Sequence, residues 1–164
     1  QLAAHLDGDL AGEVAVRGPN VMLGYWGRPE ETAAVLRDGW MHTGDLARMD
    51  ANGYVTIVDR LKDMIVRGGE NVYSAEVETV LSTHPGIAAL AIIGLPDAKW
   101  GERVHAVVVP KPHAELDLAG IQYHCRASLA GYKLPRSLSL VDELPLSGVG
   151  KILKTELRDR FRAA

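Results

Sequence analysis

The segment Pro145–Lys151 contains the residues that most directly suggest chemistry in this sequence. A lysine stands at its end, after Gly148 and Gly150 and just before a short helix is predicted to begin. Because glycine has no Cβ, the backbone can turn sharply at both glycines and carry the lysine into a partner cleft. An ammonium group there suits negative charge that develops on a phosphate or carboxylate oxygen. Taken alone, Lys151 is better interpreted as an ordinary exposed lysine. The other motifs therefore decide whether a chemical role is assigned to it.

This segment does not match two nucleotide-binding motifs that also use glycine. In a Walker A motif the first glycine would fall on Pro145, and Ile152 stands where a Ser or Thr should hold magnesium. The dinucleotide fingerprint fails as well, because Leu153 stands at the position of its third glycine. Both motifs are therefore excluded.

A second chemical candidate is Asp45, a short carboxylate that follows Thr43 and Gly44. An aspartate at such a position often only forms a turn by bonding its own backbone. It can also accept hydrogen bonds from both hydroxyls of a ribose, as an acidic residue does in dinucleotide folds. The residues alone leave both interpretations open.

Two adjacent glycines, Gly68 and Gly69, lie between short apolar runs, which predicts a hairpin with a glycine tip. Such a tip can be an ordinary turn, or bare backbone that a narrow ligand chain approaches closely. Trp100 is either a loop aromatic that covers the edge of the core or part of the same ligand path. The stretch Tyr132–Arg136 offers an aromatic face and two cations, which suits an adenine ring and phosphate groups.

The elements that must position these residues change in character along the chain. The first part is predicted to be rich in strands, with a short helix that begins at Pro29. A boundary is predicted in the charged run Asp59–Lys62. Beyond it strands alternate with helices, and the best central strands are the β-branched runs Ile87–Ile93 and Arg103–Val109. The pattern predicts an α+β fold, in which a sheet of a few strands is backed by helices.

Three helices are predicted in this second part. Ser74 is predicted to cap the first helix, and Asp117 precedes the second. The apolar stripe of the second helix includes Leu129, and Gly131 is predicted to end it. The third helix is predicted to span Lys154–Arg162.

Composition excludes several classes of protein. The 164 residues are 47% hydrophobic and 24% charged, which is typical of a globular chain, and the net charge of −3 gives no case for nucleic acid. No apolar run approaches the roughly 18 residues that a transmembrane helix needs. Cys125 is the single cysteine, which favours a reducing compartment and hence the cytoplasm. The six histidines show no metal-ligand spacing, so no metal site is predicted within the chain.

The motifs together resemble the C-terminal portion of an adenylate-forming enzyme, specifically a fatty-acyl-CoA ligase. The segments that carry the resemblance are Met22–Glu31, Asp38–Trp40, Thr43–Asp45, Asp59–Val72 and Pro145–Lys151. The resemblance covers essentially the whole chain. It implies that residues 1–59 are the β-rich end of the large adenylating domain. Residues 60–164 would be the small mobile C-terminal domain.

The resemblance also implies the activity of the full-length protein. Such ligases convert a carboxylic acid, here most simply a fatty acid of lipid metabolism, and ATP to an acyl-adenylate and pyrophosphate. They then transfer the acyl group to CoA and release AMP. The pyrophosphate loop and the Mg²⁺ ligand of the family are expected upstream of Gln1. The chain alone is therefore expected to be inactive, and its main partner is expected to be the missing N-terminal domain.

The site residues implied by the resemblance are distributed along the whole chain. Lys151 corresponds to the catalytic lysine, Asp45 and Arg60 to nucleotide-binding residues, and Lys62 to the hinge between domains. The residues expected to face CoA are Gly68, Gly69, Glu70, Trp100, Tyr132, Lys133 and Arg136. The family often has a basic residue where this chain has Leu134, which weakens the phosphate contact expected nearby.

Two alternatives stay open at this point. An adenylating domain that loads a carrier protein, or one that stops at the acyl-adenylate, would share Asp45, Arg60 and Lys151. The run Gly68–Val72, together with Trp100 and Tyr132, favours CoA instead. The non-enzymatic alternative is a nucleotide-binding or interaction module that uses this fold without chemistry. A homodimer is compatible with the sequence.

Overall fold

The computed structural model describes residues 2–3 and 11–162. The chain divides into two compact units, Gln1–Lys62 and Asp63–Ala164, which we call unit 1 and unit 2. Their assignment to a large and a small domain stays a prediction. No helix in the described part of the chain is long and apolar enough to cross a membrane.

Unit 1, as far as it is described, is an antiparallel sheet of five strands with one short helix. The elements are β1 (Leu2–Ala3), β2 (Gly12–Val16), α1 (Pro29–Val35), β3 (Leu36–Arg37), β4 (Trp40–Met49) and β5 (Val55–Arg60). Strand β4 is central, since β2 pairs with one of its edges while β3 and β5 pair with the other. The predicted helix at Pro29 is confirmed: the proline and two acidic residues lie in its first turn.

Unit 1 has a thin core in the part that the structure describes. Its buried apolar side chains are Val14, Leu46 and Ala47. Large apolar side chains such as Leu23 and Trp26 are fully exposed, at 100% and 101% of their reference areas. A single sheet face with this little cover buries much less apolar surface than an ordinary domain of its length.

Unit 2 is a sheet of five described strands with helices on both faces, as the α+β prediction required. The elements are β6 (Ile65–Arg67), β7 (Glu70–Val72), α2 (Ser74–Ser82), β8 (Ile87–Asp97), β9 (Gly101–Pro110), α3 (Leu118–Arg126), β10 (Ser137–Leu140) and α4 (Lys154–Arg162). Short 3₁₀ turns occur at Leu61–Asp63 and Gly131–Lys133. Strand β9 is central: β8 pairs antiparallel along one edge, and β10 (parallel) and β6 (antiparallel) pair with the other.

The core of unit 2 lies on both faces of the β8–β9 hairpin. On one face Ile92 and Val104 belong to a cluster with buried residues of α2 and α3. On the other face Ile93 and Val107 belong to a cluster with Leu157 of α4. Successive side chains of a strand point to opposite faces, so both strands are apolar at nearly every position. This explains why they gave the strongest strand signals in the sequence.

Two details of the helix predictions are wrong. Ser74 is the first residue of α2 and not its cap; Tyr73 holds the cap position without a side-chain hydrogen bond. The Ser74 hydroxyl instead accepts a hydrogen bond from Lys154 Nζ at 2.8 Å. Asp117 caps α3 through Gly120 N at 2.8 Å, but α3 ends at Arg126. The amides of Ser128 and Leu129 both bond the carbonyl of Cys125, which closes the helix early, so Leu129 is buried from the following turn.

Candidate functional site

Lys151 lies at the end of a small closed hairpin that spans residues 145–153. Ser147 N donates to Lys151 O at 2.8 Å, and Leu153 N donates to Pro145 O at 2.9 Å. The Ser147 hydroxyl accepts from Lys151 N at 3.1 Å. Gly150 has a φ of +77°, which only glycine adopts without strain, and it makes the turn. The loop is therefore hydrogen-bonded along its length, and the lysine is not on a loose arm.

The Lys151 side chain is exposed, and its ammonium group contacts no acidic or polar group among residues 11–162. The loop that presents it is anchored by Ile152 and Leu144, which pack against the buried cluster around Leu157. An ammonium group held by its backbone and left without an internal partner is available to an external anion.

Asp45 and Arg60 are brought together in unit 1. They occupy opposite positions on β4 and β5, and Arg60 Nε lies 2.8 Å from Asp45 Oδ1. Both side chains are partly exposed, so the pair faces solvent on one side. The Asp45 amide donates to Thr43 Oγ1 at 3.1 Å, and that hydroxyl donates to Val14 O at 2.9 Å. The second carboxylate oxygen of Asp45 and the guanidinium form one polar surface.

The register of β4 explains how Asp45 is presented. Glu13 pairs with Leu46 and Ala15 with His42, so Val14 alone opposes the three residues Thr43–Asp45, which form a bulge. The Glu13 carboxylate holds this bulge: Oε1 accepts from Gly44 N at 3.1 Å and Oε2 lies 2.8 Å from His42 Nδ1. Sequence reasoning missed Glu13, since an acidic residue in a strand carries no motif. Bulges of this kind redirect side chains at functional sites.

Lys62 is exposed and lies in the 3₁₀ turn Leu61–Asp63, the last residue of unit 1. With Gly44, Arg60 and Leu61 it lines a shallow depression of about 400 Å³ beside the Asp45–Arg60 pair. The structure therefore places three of the predicted site residues, Asp45, Arg60 and Lys62, within one region of unit 1.

The predicted glycine hairpin is confirmed between β6 and β7. Gly68 and Gly69 have φ values of +62° and +86°, the combination that a two-residue type I′ turn requires. Gly68 N donates to Trp100 O at 2.8 Å, and a Cβ on Gly68 would lie 2.8 Å from Cε3 of the Trp100 ring. A Cβ on Gly69 would meet nothing within 4 Å. The hairpin and Trp100, distant in sequence, form one surface.

Cations flank the ring of Trp100. The guanidinium carbon of Arg67 lies 4.9 Å from the ring centroid, and Lys99 Nζ lies 5.0 Å from it. The ring is partly exposed, and Asp97 fixes its backbone by accepting from the amides of Lys99 and Trp100. These hydrogen bonds, with Trp100 the larger cause, hold the pKa of Asp97 below its usual value. We call Arg67, Gly68, Gly69, Lys99 and Trp100 together the Trp100 platform. Glu70 is exposed and pairs with Arg67 across the hairpin.

The residues Tyr132, Lys133 and Arg136 lie elsewhere in unit 2 and have internal partners. Lys133 Nζ donates to both carboxylate oxygens of Glu76 at 2.7 Å and is mostly buried. Arg136 Nη2 donates to Gly131 O at 2.8 Å. Tyr132 packs against the core. In this structure these contacts hold the 3₁₀ turn to the first turn of α2, and a role in binding CoA stays a prediction.

His105 and Cys125 are buried titratable residues outside these surfaces. His105 Nδ1 lies 2.7 Å from Ser137 Oγ, which also accepts from Arg103 Nε at 3.2 Å. Burial, and secondly the charge of Arg103, lowers the pKa of His105 to about 4. Burial raises the pKa of the Cys125 thiol to about 11. Both groups are therefore neutral near pH 7, and the structure gives neither an open path to a substrate.

No group of three or more His, Cys, Asp or Glu residues within the described ranges could hold a metal ion. The charged and aromatic side chains described above can supply recognition and charge stabilisation. Unit 1 offers a carboxylate–guanidinium pair, and unit 2 offers an exposed ammonium group and an aromatic platform flanked by cations.

Comparison with known proteins identifies relatives of this chain. The family model of the AMP-binding enzyme C-terminal domain matches residues 76–151. A feruloyl-CoA synthase from Amycolatopsis sp is 57% identical over 150 residues, which are 92% of this chain and 30% of that protein. A long-chain-fatty-acid–CoA ligase from Salmonella typhimurium is 51% identical over 152 residues, which are 93% of this chain and 27% of that protein.

Among solved structures, ATP-bound MatB from Rhodopseudomonas palustris is similar to this chain. Its TM-score is 0.86 and its identity 40%, over 96% of this chain and 31% of MatB. The chain spans less than a third of the length of the curated relatives it matches.

Proposed function

The chain belongs to the adenylate-forming enzymes, and on that premise we propose that it is the C-terminal part of an AMP-forming acyl-CoA ligase. In the first half-reaction a carboxylate attacks the α-phosphate of ATP, forming the acyl-adenylate and releasing pyrophosphate. In the second, the thiol of CoA attacks the acyl carbon and AMP leaves. The observation that carries the proposal is Lys151, whose ammonium group has no hydrogen-bond or ion-pair partner in the described part of the chain and which lies on a hydrogen-bonded loop.

Lys151 serves the first half-reaction in this proposal. Charge develops on phosphate and carboxylate oxygens as the carboxylate attacks, and a preorganised ammonium group stabilises it. Phosphoryl and nucleotidyl transfers depend mainly on positioning and charge stabilisation, so a rigid loop is an advantage. The closed hairpin around Gly150 supports this role, because the backbone direction at Lys151 is already fixed.

Asp45 and Arg60 bind the nucleotide in this proposal. Asp45 uses its second oxygen for the ribose hydroxyls, and Arg60 orients the carboxylate through its Nε at 2.8 Å. The described residues include no group of three His, Cys, Asp or Glu side chains that could hold a metal ion, and the Mg²⁺ that the resemblance implies is not assigned to them.

The second half-reaction uses the Trp100 platform. Bare backbone at Gly69 leaves room for the narrow pantetheine chain, and Arg67 and Lys99 lie near enough to attract phosphate oxygens. Lys62 is the hinge at which unit 2 rotates between the two half-reactions. Its place at the division between the units supports this role, since hinges need only a few residues that absorb backbone rotation.

Unit 1 is, in this proposal, the end of a larger adenylating domain. The support is the exposure of Leu23 and Trp26 beside a core of few residues. Exposed apolar side chains of this size mark a surface that another part of the protein covers.

A fatty acid is the proposed carboxylic acid, supported by the relative that is a long-chain-fatty-acid–CoA ligase. The feruloyl-CoA synthase supports a competing aromatic acid. Adenylation assays of the full-length protein with palmitate and with ferulate decide between them. If the acyl group of the adenylate is transferred to a carrier protein and never to CoA, the carrier-loading alternative replaces the CoA step.

The test of the proposed function is Lys151→Ala in the full-length protein. Pyrophosphate exchange should fall by about 10² to 10³, the usual effect of one lost charge-stabilising group. Thioester formation from preformed acyl-adenylate should persist. Lys111→Ala, which removes another exposed lysine of unit 2, is the matched control and should leave both half-reactions unchanged. Equal loss in both half-reactions would show that Lys151 has a structural or shared role.

The platform has its own test, Gly69→Leu. The side chain should block the CoA step and leave pyrophosphate exchange nearly intact. Gly53→Leu is the matched control, because Gly53 also has a positive φ (+84°) and open space around it, but lies in a turn of unit 1. Unchanged turnover and KM for CoA in Gly69→Leu would refute the assignment of this hairpin to the CoA path.

A further inference from the structure

Helix α4 begins three residues after Lys151, so any movement of the helix moves the loop. Leu157 fixes the middle of the helix, since it is buried against Ala91, Ile93 and Val107 on one face of the sheet. An apolar contact of this kind holds the helix against the sheet but leaves its direction and rotation weakly defined. Charged contacts on either side of Leu157 fix the direction and rotation of the helix.

The first charged contact lies at the start of α4. Lys154 Nζ lies 2.7 Å from Glu78 Oε1 and donates to Ser74 Oγ at 2.8 Å. The same Glu78 oxygen accepts from the backbone N of Ile92 at 2.8 Å, on the edge of β8 that faces away from β9. Lys154 therefore connects α4, on one face of the sheet, with α2, on the other.

The second charged contact lies one turn further along. Arg158 Nη2 donates to Asp63 Oδ1 at 2.5 Å, and the two side chains are only 17% and 12% exposed. Asp63 immediately follows Lys62 and is the first residue of unit 2. Because Lys154 and Arg158 are four residues apart, both project from the same side of the helix.

We propose that Asp63 and Arg158 are a positioning pair, which fixes the direction of the Lys151 loop relative to the backbone that follows Lys62. The inference rests on the proposed function. Rotation at Lys62 can bring Lys151 to a reactive position only if the loop keeps a fixed orientation relative to the backbone that follows Lys62. The path from hinge to loop is Asp63, Arg158, the rigid helix α4 and the closed hairpin. The two side chains are mostly buried against each other, so the role that we assign to them is positioning and not catalysis.

The pair is mostly buried, and this makes it sensitive to substitution. Removing one member leaves the other charge without its partner in a site that water reaches poorly. The helix can then relieve that charge by shifting. A displacement of about 1 Å at a catalytic group is enough to lower a rate about 10²-fold.

The test uses Arg158→Met in the full-length protein, with Arg160→Met as the control on the exposed side of the same helix. Arg158→Met should lower kcat for adenylate formation by about 10- to 100-fold at an unchanged KM for ATP. Thioester formation from preformed acyl-adenylate should change by less than about twofold. Arg158→Lys and the exchanged pair Asp63→Arg with Arg158→Asp should each recover part of the rate. Equal slowing of both half-reactions, or no slowing, would overturn the inference.

A second measurement separates this inference from the proposed function. Hydrogen exchange of the amides of Gly150, Lys151 and Leu153, which are bonded within the loop, should become at least about fivefold faster in Arg158→Met and not in Arg160→Met. This readout needs no activity. If the wild-type protein forms no adenylate but the amides respond, the proposed function fails and the structural link stands. Unchanged exchange would refute the link itself.

Discussion

The two units reach their candidate sites by different means. In unit 1 three of the described apolar residues are buried, whereas unit 2 has nineteen, of which eighteen form two clusters on opposite faces of one sheet. Unit 1 presents Asp45 from a bulge, in which Glu13 accepts a hydrogen bond from Gly44 N and the Thr43 hydroxyl accepts one from Asp45 N. Unit 2 presents Lys151 and Trp100 from turns that are closed by backbone bonds and supported by packed core.

The difference shows what holds each site in place. Burial of apolar surface supplies most of the free energy of folding, so unit 2 has its own source of stability. Hydrogen bonds define geometry but each contributes only about 1 kcal/mol net. The Asp45 site is therefore precise only as long as something else stabilises unit 1, which agrees with the proposal that the rest of a large domain covers it.

The strongest test of this comparison is to separate the units. Residues 59–164 expressed alone should unfold in urea in one cooperative transition, because both apolar clusters of unit 2 are retained. Residues 1–62 alone should show no cooperative transition. Circular dichroism of the two peptides measures this. A cooperative transition of the first peptide would show that unit 1 needs no additional cover.

The partial site in unit 1 has a consequence for nucleotide binding. The 164-residue chain should bind ATP weakly or not at all, since Asp45 and Arg60 contact only the ribose in the proposal. Isothermal titration tests this directly. Micromolar affinity would favour the alternative of an independent nucleotide-binding module over that of a partial site.

A pair of matched core truncations sharpens the comparison. Leu81 in unit 2 is fully buried, and Leu46 in unit 1 is 4% exposed. Leu81→Ala should lower the free energy of unfolding by about 3 to 5 kcal/mol, because the truncation leaves a cavity that the densely packed neighbours cannot close. Leu46→Ala should lower it by only about 1 kcal/mol, since few buried neighbours surround the site. Urea denaturation of the chain measures both, and equal losses would contradict the thin-core description.

The largest pH-dependent effect between pH 6.5 and 4 is expected in unit 2. The pKa of His105 is lowered from 6.5 to about 4 in the folded state, so its neutral form is the native one. As the pH falls from 6.5 toward 4, His105 takes up a proton in the unfolded chain but not in the folded chain. His105 should therefore lower the stability of unit 2 by roughly 3 kcal/mol over this range, with no further loss from this group at lower pH.

The variant His105→Gln identifies the source of this loss. Urea unfolding of residues 59–164 at several pH values should show a much shallower profile between pH 6.5 and 4 in the variant. A small slope should remain from His84, whose pKa is lowered by partial burial and then by the charges of His124 and Lys111. The lowered pKa of Asp97 acts below its ordinary value of 3.8, outside this range. A variant that keeps the wild-type slope would assign the effect to another group.

The sequence alone predicted the local features of both units. Alternation and composition identified β8, β9 and the Gly68–Gly69 hairpin, because each depends on residues adjacent in the chain. The helix Lys154–Arg162 was predicted with the bounds that the structure has. Ser74 was misassigned, because its partner Lys154 lies far away in the sequence.

Contacts between distant residues were the part that sequence could not supply. Glu13, which holds the Asp45 bulge, and Glu76, which binds Lys133, have no motif. The pair Asp63–Arg158 joins the two ends of unit 2. In each case the side chain is an ordinary charged residue until the fold brings its partner within hydrogen-bond distance.

The smallest expected effect concerns alanine substitutions at the turn glycines. Gly69 and Gly53 have φ values of +86° and +84°, and a Cβ on either would meet nothing within 4 Å. Gly69→Ala and Gly53→Ala should therefore each cost about 1 kcal/mol in their own unit, the backbone strain of an L residue in this region. Gly68→Ala should cost more, because its Cβ would lie 2.8 Å from the Trp100 ring. Urea denaturation measures all three, and the fluorescence of residues 59–164, in which Trp100 is the one tryptophan, reports displacement of the ring. Because unit 1 is expected to have no cooperative transition of its own, Gly53→Ala should leave the main transition of the chain unchanged, whereas Gly69→Ala should shift it. An equal shift in Gly53→Ala would mean that the thin sheet of unit 1 is more stable than its buried residues indicate.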